Sequence, residues 1–198
     1  SAVTCLAAGN ADFFTREGAP VGVEVREGVL TSSAERLTCA WRRGGAPWMG
    51  TAEVVPGGLR LGWSAGAPTD GTVAVGGFPD LIDDGSRVGD LEAAARPGFA
   101  AARHPRTAVG WDVESQVMVL IAVDGRQPPH SSGMTLPELA ELFEALGVEE
   151  ALNLDGGGST ALVVGGTPVN RPSDATGERP VVNALALVRT PEACREKR

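Results

Sequence analysis

Glycine and proline punctuate this chain too often for long helices. There are 27 Gly and 14 Pro among 198 residues, about a fifth of the chain where roughly 12% is usual. Proline fixes φ and removes a backbone donor, and glycine loses the most entropy on ordering, so both belong in turns rather than element interiors. The expectation is an α+β fold: a mixed, twisted β-sheet with few helices, in one domain spanning 1–198. A 42% hydrophobic content with 21% charged residues is enough for a core and excludes disorder, collagen and coiled coil.

In the first half, Val21 to Val25 reads as a strand, Glu27-Gly28 as a tight turn and Val29-Leu30 as the return strand. Leu59 to Trp63 and Thr72 to Val75 are further strands, with Pro56-Gly57-Gly58 and Pro68-Thr69-Asp70-Gly71 as turns. Gly89 to Ala102 is Ala-rich and offers one or two helical turns before Pro97. In the second half, Thr107 to Trp111 and Gln116 to Val123 form a strand pair, the second expected to be buried on both faces. Thr135 to Leu146 is the best helix. Thr135 and Glu138 make a capping box, Pro137 lies in the first turn and Gly147 stops it. Leu136, Leu139, Ala140, Phe143 and Leu146 share one face. Ala151 to Leu154 and Ala161 to Val164 are strands around a glycine loop, and Val181 to Val188 closes the fold.

A formal charge of −8 argues against a nucleic-acid or anionic-membrane surface. The longest apolar run, Val117 to Val123, is far below the ~20 residues that span a bilayer. Cys5, Cys39 and Cys194 have no metal-ligand spacing, so neither a metal nor a cofactor is expected. The chain opens at Ser1 without Met, which allows a removed leader and an extracytoplasmic home.

Four segments could carry chemistry. The loop Asn153-Leu154-Asp155-Gly156-Gly157-Gly158-Ser159-Thr160 lets backbone N–H groups approach a ligand and leaves Asp155 unobstructed at a strand end. It is neither a phosphate-binding loop with a following Lys nor a nucleophile elbow; the plain alternative is a flexible turn. Arg106 and Arg126 flank the strand pair and could clamp phosphate or carboxylate, or pair with surface carboxylates. Asn170-Arg171-Pro172-Ser173-Asp174 with Glu178-Arg179-Pro180 reads as a polar site loop or an ion-paired surface. Asn10-Ala11-Asp12-Phe13-Phe14 sets polar groups beside aromatics; in a strand, one Phe would be core and the other pocket-facing. His130-Ser131-Ser132 lacks the oxyanion motif of a serine hydrolase.

Taken in order, these strings resemble the phosphodiester glycosidase family. They run from Asn10-Ala11-Asp12-Phe13-Phe14 and Pro20-Val21-Gly22 through Gly76-Gly77-Phe78-Pro79, Pro105-Arg106-Thr107 and Val123-Asp124-Gly125-Arg126. They continue with Ser132-Gly133-Met134-Thr135, the Asp155 loop, Val169-Asn170-Arg171-Pro172-Ser173 and Glu178-Arg179-Pro180-Val181-Val182-Asn183. The resemblance covers the chain from Ala8 to Val188.

It implies hydrolysis of the bond between a sugar anomeric carbon and phosphate in sugar-1-phosphodiesters, with an N-acetylglucosamine-type sugar. Asp155, then Glu178 and Asp124, are the catalytic candidates, since an oxocarbenium-like centre and a water are usually handled by carboxylates. Asn10, Asp12, Arg106, Arg126, Ser132, Gly156, Gly157, Gly158, Ser159, Thr160, Asn170, Arg171 and Arg179 are the candidates for holding sugar or phosphate. The family normally has more chain before the Asn-containing motif. The resemblance therefore implies either a processed chain, possible N-terminal strands lacking, or a second chain or copy completing the sheet. It also implies an extracytoplasmic setting, and with it one disulfide, Cys5 with Cys39 or Cys194. The alternative function is a glycan- or phosphate-binding module on the same scaffold without turnover.

Overall fold

The computed structural model describes residues 4–33, 36–42, 44–56, 58–61, 72–91 and 98–189. These residues are mainly β. A six-stranded sheet contains β2 (Val23–Arg26), β3 (Val29–Ser33), β4 (Arg36–Arg42), β5 (Trp48–Val55), β6 (Gly58–Leu61) and β7 (Thr72–Gly76), in the order β3-β2-β7-β4-β5-β6. A five-stranded sheet, β11-β10-β12-β8-β9, uses β8 (Asp80–Asp83), β9 (Ser86–Arg87), β10 (Arg106–Asp112), β11 (Val117–Val123) and β12 (Glu150–Asn153). A four-stranded sheet, β14-β13-β1-β15, joins β1 (Thr4–Asn10), β13 (Leu162–Val164), β14 (Thr167–Pro168) and β15 (Ala184–Arg189). One long helix, α1 (Leu136–Ala145), is present among the described residues.

The expected single mixed sheet is therefore three sheets. Every strand pair among the described residues is antiparallel. Tight hairpins explain much of this, because a parallel pair needs a long crossover. Between β2 and β3 the turn residues Glu27 and Gly28 both have positive φ, 51° and 82°. That is the two-residue turn whose twist suits a hairpin.

The five-stranded sheet is the middle layer, and β10, paired with β11 and β12, is buried along nearly its whole length. Period-two alternation sends Ala108 toward α1, beside Leu136, Leu139, Ala140 and Phe143. Gly110 shares that face, and a Cβ there would lie 2.7 Å from Phe143 Cε1, so glycine lets the helix seat against the strand. Val109 and Trp111 point the other way, into a core shared with Cys39, Met49 and Val75 of the six-stranded sheet.

Three expectations are corrected. β11 is an edge strand, with Val117 and Met118 49% and 38% exposed, because only β10 pairs with it. Leu146 is exposed at the C-cap, where the helical face has ended before Gly147 turns at φ 75°. Cys39 is buried and Cys5 exposed, and the two do not bridge each other. Cys194 lies outside the described residues, as do the turn at 68–71 and residues 92–97 of the Ala-rich segment.

The capping box forms: Glu138 N–H donates to Thr135 Oγ1 at 3.2 Å and Thr135 N–H to Glu138 Oε2 at 2.9 Å. Thr135→Ala is expected to cost about 1 kcal/mol and lower Tm by roughly 2–4 °C, measured by thermal melting.

Candidate active site

The site-bearing loop crosses between sheets, from β12 in the five-stranded sheet to β13 in the four-stranded one. Its backbone is fastened from below. Leu154 N–H donates to Thr107 O at 2.8 Å, Asp155 N–H to Ala11 O at 2.8 Å and Gly157 N–H to Pro105 O at 2.9 Å. The buried Asn10 side chain closes the knot: Nδ2 donates to Asp155 O at 2.6 Å, and Oδ1 accepts from Thr107 Oγ1 at 2.8 Å and from Ala161 N–H at 3.1 Å. Thr160 is buried beside it, 3.4 Å from the Thr107 hydroxyl.

Above the loop opens a cleft of about 350 Å³, lined by Phe13, Phe14, Thr15, Arg16, Arg126, Asp155, Gly156, Gly157, Gly158, Ser159 and Arg179. The half-buried Asp155 carboxyl is pushed above its usual 3.8 by burial, against the opposing pull of the Ser159 hydroxyl, the Gly156 N–H and Arg179. Two guanidiniums sit against the glycines. A Cβ on Gly157, whose φ is 59°, would lie 3.1 Å from Arg126 Nη1. On Gly158 a Cβ would overlap the Arg179 guanidinium and the Asp174 carboxylate. Arg179 is oriented by Asp174, Nε to Oδ2 at 2.7 Å and Nη2 to Oδ2 at 2.5 Å. Arg126 has a left-handed backbone, φ 58°, and its Nη2 meets His104 Nδ1 at 3.2 Å.

Other sequence-selected residues stand outside the cleft. Arg106 is 2% exposed. The strand alternation that turns Thr107 to Asn10 puts Arg106 on the α1 side with Ala108 and Gly110. There Nε donates to Met134 O at 3.0 Å and Nη2 to Phe99 O at 2.7 Å and Ala102 O at 2.8 Å, with the guanidinium over the Phe99 ring. Burial, then Arg126, pull its pKa down to about 10. The pair facing the cleft is Arg126 with Arg179, rather than Arg126 with Arg106.

Asp124 ties loops together. Its Oδ2 meets His130 Nε2 at 2.8 Å, and Oδ1 accepts from Arg171 N–H at 2.7 Å and Asn170 Nδ2 at 3.3 Å. Burial opposes its charge, but these hydrogen bonds prevail and hold its pKa below the usual value. Asn170 also accepts from Leu162 N–H at 2.7 Å and donates to Thr160 O at 3.1 Å. Arg171, Glu178 and Ser132 are exposed and do not line the cleft.

Asp12 lies beneath the aromatic wall, 2% exposed. Its Oδ2 accepts from Gly22 N–H at 2.8 Å, while Oδ1 has no partner. Gly22 and Gly76 make room for it: a Cβ at either would lie 2.9 or 2.7 Å from Oδ2. Asp12 N–H donates to Asn183 Oδ1 at 2.8 Å, and Asn183 Nδ2 donates to Glu24 Oε1 at 2.9 Å. Phe13 and Phe14 both face pockets, because this segment is a loop and not a strand. With Val21, Arg36, Phe78 and Phe99 they line an adjoining pocket of about 430 Å³. Arg36 stacks 5.5 Å over the Phe78 ring centroid. Sequence reasoning missed His104, Glu24, Asn183 and Arg36 as parts of this region, while Asp174 falls in the polar segment it singled out. Of these only Asn183 had a signal, in the Val181-Val182-Asn183 string. No group of three or more His, Cys, Asp or Glu side chains suited to a metal occurs among the described residues.

A model of the phosphodiester glycosidase family matches residues 4–188. The chain belongs to that family. N-acetylglucosamine-1-phosphodiester alpha-N-acetylglucosaminidase of Mus musculus is 42% identical over 76 residues, 38% of this chain and 14% of that protein. A prophage-derived uncharacterized protein of Bacillus subtilis is 41% identical over 85 residues, 43% of this chain and 13% of that protein. The aligned segments are thus about a seventh or less of these relatives. In fold, the chain is similar to the zebrafish catalytic domain of the same-named glucosaminidase, auto-inhibited by its pro-peptide. There the TM-score is 0.69 and the identity 24%, over 93% of this chain and 62% of that one. It is also similar to a protein of Burkholderia pseudomallei named as exported, with TM-score 0.70 and 22% identity, over 92% and 65% of the two chains.

Burial raises the Asp12 pKa to about 6. A raised carboxyl pKa means the folded state holds the proton more tightly. Its stabilising contribution is therefore complete below 3.8 and lost as pH rises through about 6. Asp12→Asn should remove that loss. Relative to wild type, the variant should gain stability between pH 4 and 7, on the order of 3 kcal/mol at the plateau, read from denaturant melts across pH.

Proposed function

We propose that this chain hydrolyses the bond between a sugar anomeric carbon and phosphate in sugar-1-phosphodiesters, with an N-acetylglucosamine-type sugar, in an extracytoplasmic setting. One observation carries the reading: a half-buried carboxylate, Asp155, shares a cleft with two guanidiniums set against consecutive glycines. Family membership supports the chemistry. The similar zebrafish domain is named for a phosphodiester of N-acetylglucosamine, and the Burkholderia protein is named as exported.

A phosphodiester carries one negative charge. Arg126 and Arg179 grip its non-bridging oxygens through charge-assisted hydrogen bonds, worth ~1.5–3 kcal/mol each. As the bond between the anomeric carbon and its oxygen breaks, the phosphomonoester leaves with the electron pair, and positive charge develops on the sugar. Because that leaving group is already a weak base, a strong general acid is less needed than with an ordinary glycoside. Asp155 faces the developing charge, either stabilising it as a nucleophile would or taking the proton from attacking water. The apolar face of the sugar ring packs on Phe13 and Phe14. Asp124 contributes by holding the 170–171 loop, and Glu178 stands outside the reacting space.

The test is a panel of α- and β-linked sugar-1-phosphodiesters with detection of free sugar. Asp155→Asn is expected to lower kcat/KM by at least ~10²-fold, the lower range of positioned acid–base catalysis, with Tm little changed. A fully active Asn variant would leave Asp155 only a turn-capping role. Binding without turnover of any substrate in the panel would identify a binding module. In wild type, kcat/KM should rise with pH through an acid limb displaced above 3.8, following the direction of the Asp155 shift.

A further inference from the structure

We propose that His104 is the positioning residue of the anion grip: its neutral imidazole accepts a hydrogen bond from Arg126 and holds that guanidinium over the glycine turn. The inference rests on the reading of Arg126 as a phosphate ligand. Arg126 sits at φ 58°, where a bulky residue is uncommon and strained. Its N–H has only a long bond to Ser132 O, 3.5 Å. The conformation aims the guanidinium at Gly157 and at His104.

The contact itself fixes the protonation state. A guanidinium has five donors and no acceptor. His104 Nδ1, 3.2 Å from Arg126 Nη2, must therefore present its lone pair, and the proton resides on Nε2. Protonation of Nδ1 would set N–H against N–H and cation against cation. The environment opposes that state: burial, then the charges of Arg126 and Arg106, all push the His104 pKa down from 6.5. Arg103, beside it in the chain, is engaged with Glu138 and with Gly133 O at 2.8 Å.

The imidazole is a firm anchor because its own backbone is pinned. His104 N–H donates to Met134 O at 3.2 Å, and His104 O accepts from Met134 N–H at 3.1 Å. Gly133, at φ 97°, has no space for a Cβ against that carbonyl. The grip is therefore set by the scaffold and is released on acidification, when the imidazole gains its second proton and Arg126 loses its acceptor.

Dimethyl phosphate is a suitable probe, since it stays a monoanion across pH 4–9 and adds no titration of its own. Its binding to wild type, Arg126→Ala, His104→Ala, His104→Asn and His104→Gln is followed by phosphorus NMR, with near-UV circular dichroism as the check on folding. Arg126→Ala should weaken binding about tenfold and His104→Ala about threefold to tenfold. His104→Asn, whose amide oxygen replaces Nδ1, should recover affinity to within about twofold of wild type. His104→Gln, whose oxygen lies where Nε2 was, should not, and this contrast serves if His104→Ala fails to fold. Wild-type affinity should fall on acidification below pH 6.5, in a step missing from His104→Asn. Asp155 protonation would act in the opposite direction. Wild-type affinity in both His104→Ala and His104→Gln, or the acid step persisting in His104→Asn, overturns the role of His104 while a weakened Arg126→Ala preserves the anion site. An Arg126→Ala variant that binds as wild type overturns the anion site itself.

Discussion

A single buried amide joins the parts from which the site is made. Asn10, 3% exposed, ends β1. Its three hydrogen bonds reach partners 97, 145 and 151 residues away, on β10, at Asp155 and at the start of the chain toward β13. The amide is needed for both of its functions at once. An aspartate would accept from Thr107 and Ala161 but could not donate to the Asp155 carbonyl, and an apolar residue would deprive the Asp155 carbonyl and the Ala161 N–H of this partner and leave the Thr107 hydroxyl only its 3.4 Å contact with Thr160. Each unsatisfied group of that kind costs about 1–3 kcal/mol. Asp155 is presented to the cleft because its backbone is held here.

Around this tie, the chain keeps several charges where burial opposes them. Arg106 is surrounded by backbone carbonyls that satisfy it in place of a counter-ion. Asp12 has one oxygen satisfied and one orphaned. Asp155 is pushed toward its neutral form by burial. A fold selected for stability alone would fill such places with apolar groups. Their location beneath and around one cleft fits a region whose electrostatics serve a ligand, against a chain whose overall charge is −8. An anion approaching this protein meets general repulsion and two local guanidiniums, so capture depends on short-range hydrogen bonds.

Features whose physics is local are legible in the sequence. The capping box at Thr135, the Glu27-Gly28 hairpin and the strands around Asp155 all depend on residues within a few positions. What escaped depends on distant partners. Seven apolar residues in β11 look like a central strand, yet the residue count says nothing about whether a second neighbour exists. Arg106 and Arg126 look alike at strand ends, but only the pleat of β10 assigns Arg106 to the helix side. A strand would make Phe13 and Phe14 diverge, whereas a bend lets both line pockets. His104 and Arg36 had no sequence signal because their partners are 22 and 42 residues away and belong to other segments.

The three glycines take on a different meaning once those loops are in place. A glycine run is easily taken for a nest of backbone N–H groups aimed at an anion. Here Gly157 N–H is already donated to Pro105 O, and Ser159 and Thr160 N–H close the turn on Gly156 and Gly157 carbonyls. What the missing side chains provide is space, occupied by Arg126 at Gly157 and by Arg179 with Asp174 at Gly158. The guanidiniums in this cleft come from two other loops, each braced by its own partner, His104 or Asp174. It follows that the Asp155 loop alone is not the site. Its carboxylate, its glycines and the two guanidiniums form one device only when loops separated by some twenty to thirty residues dock on a common turn.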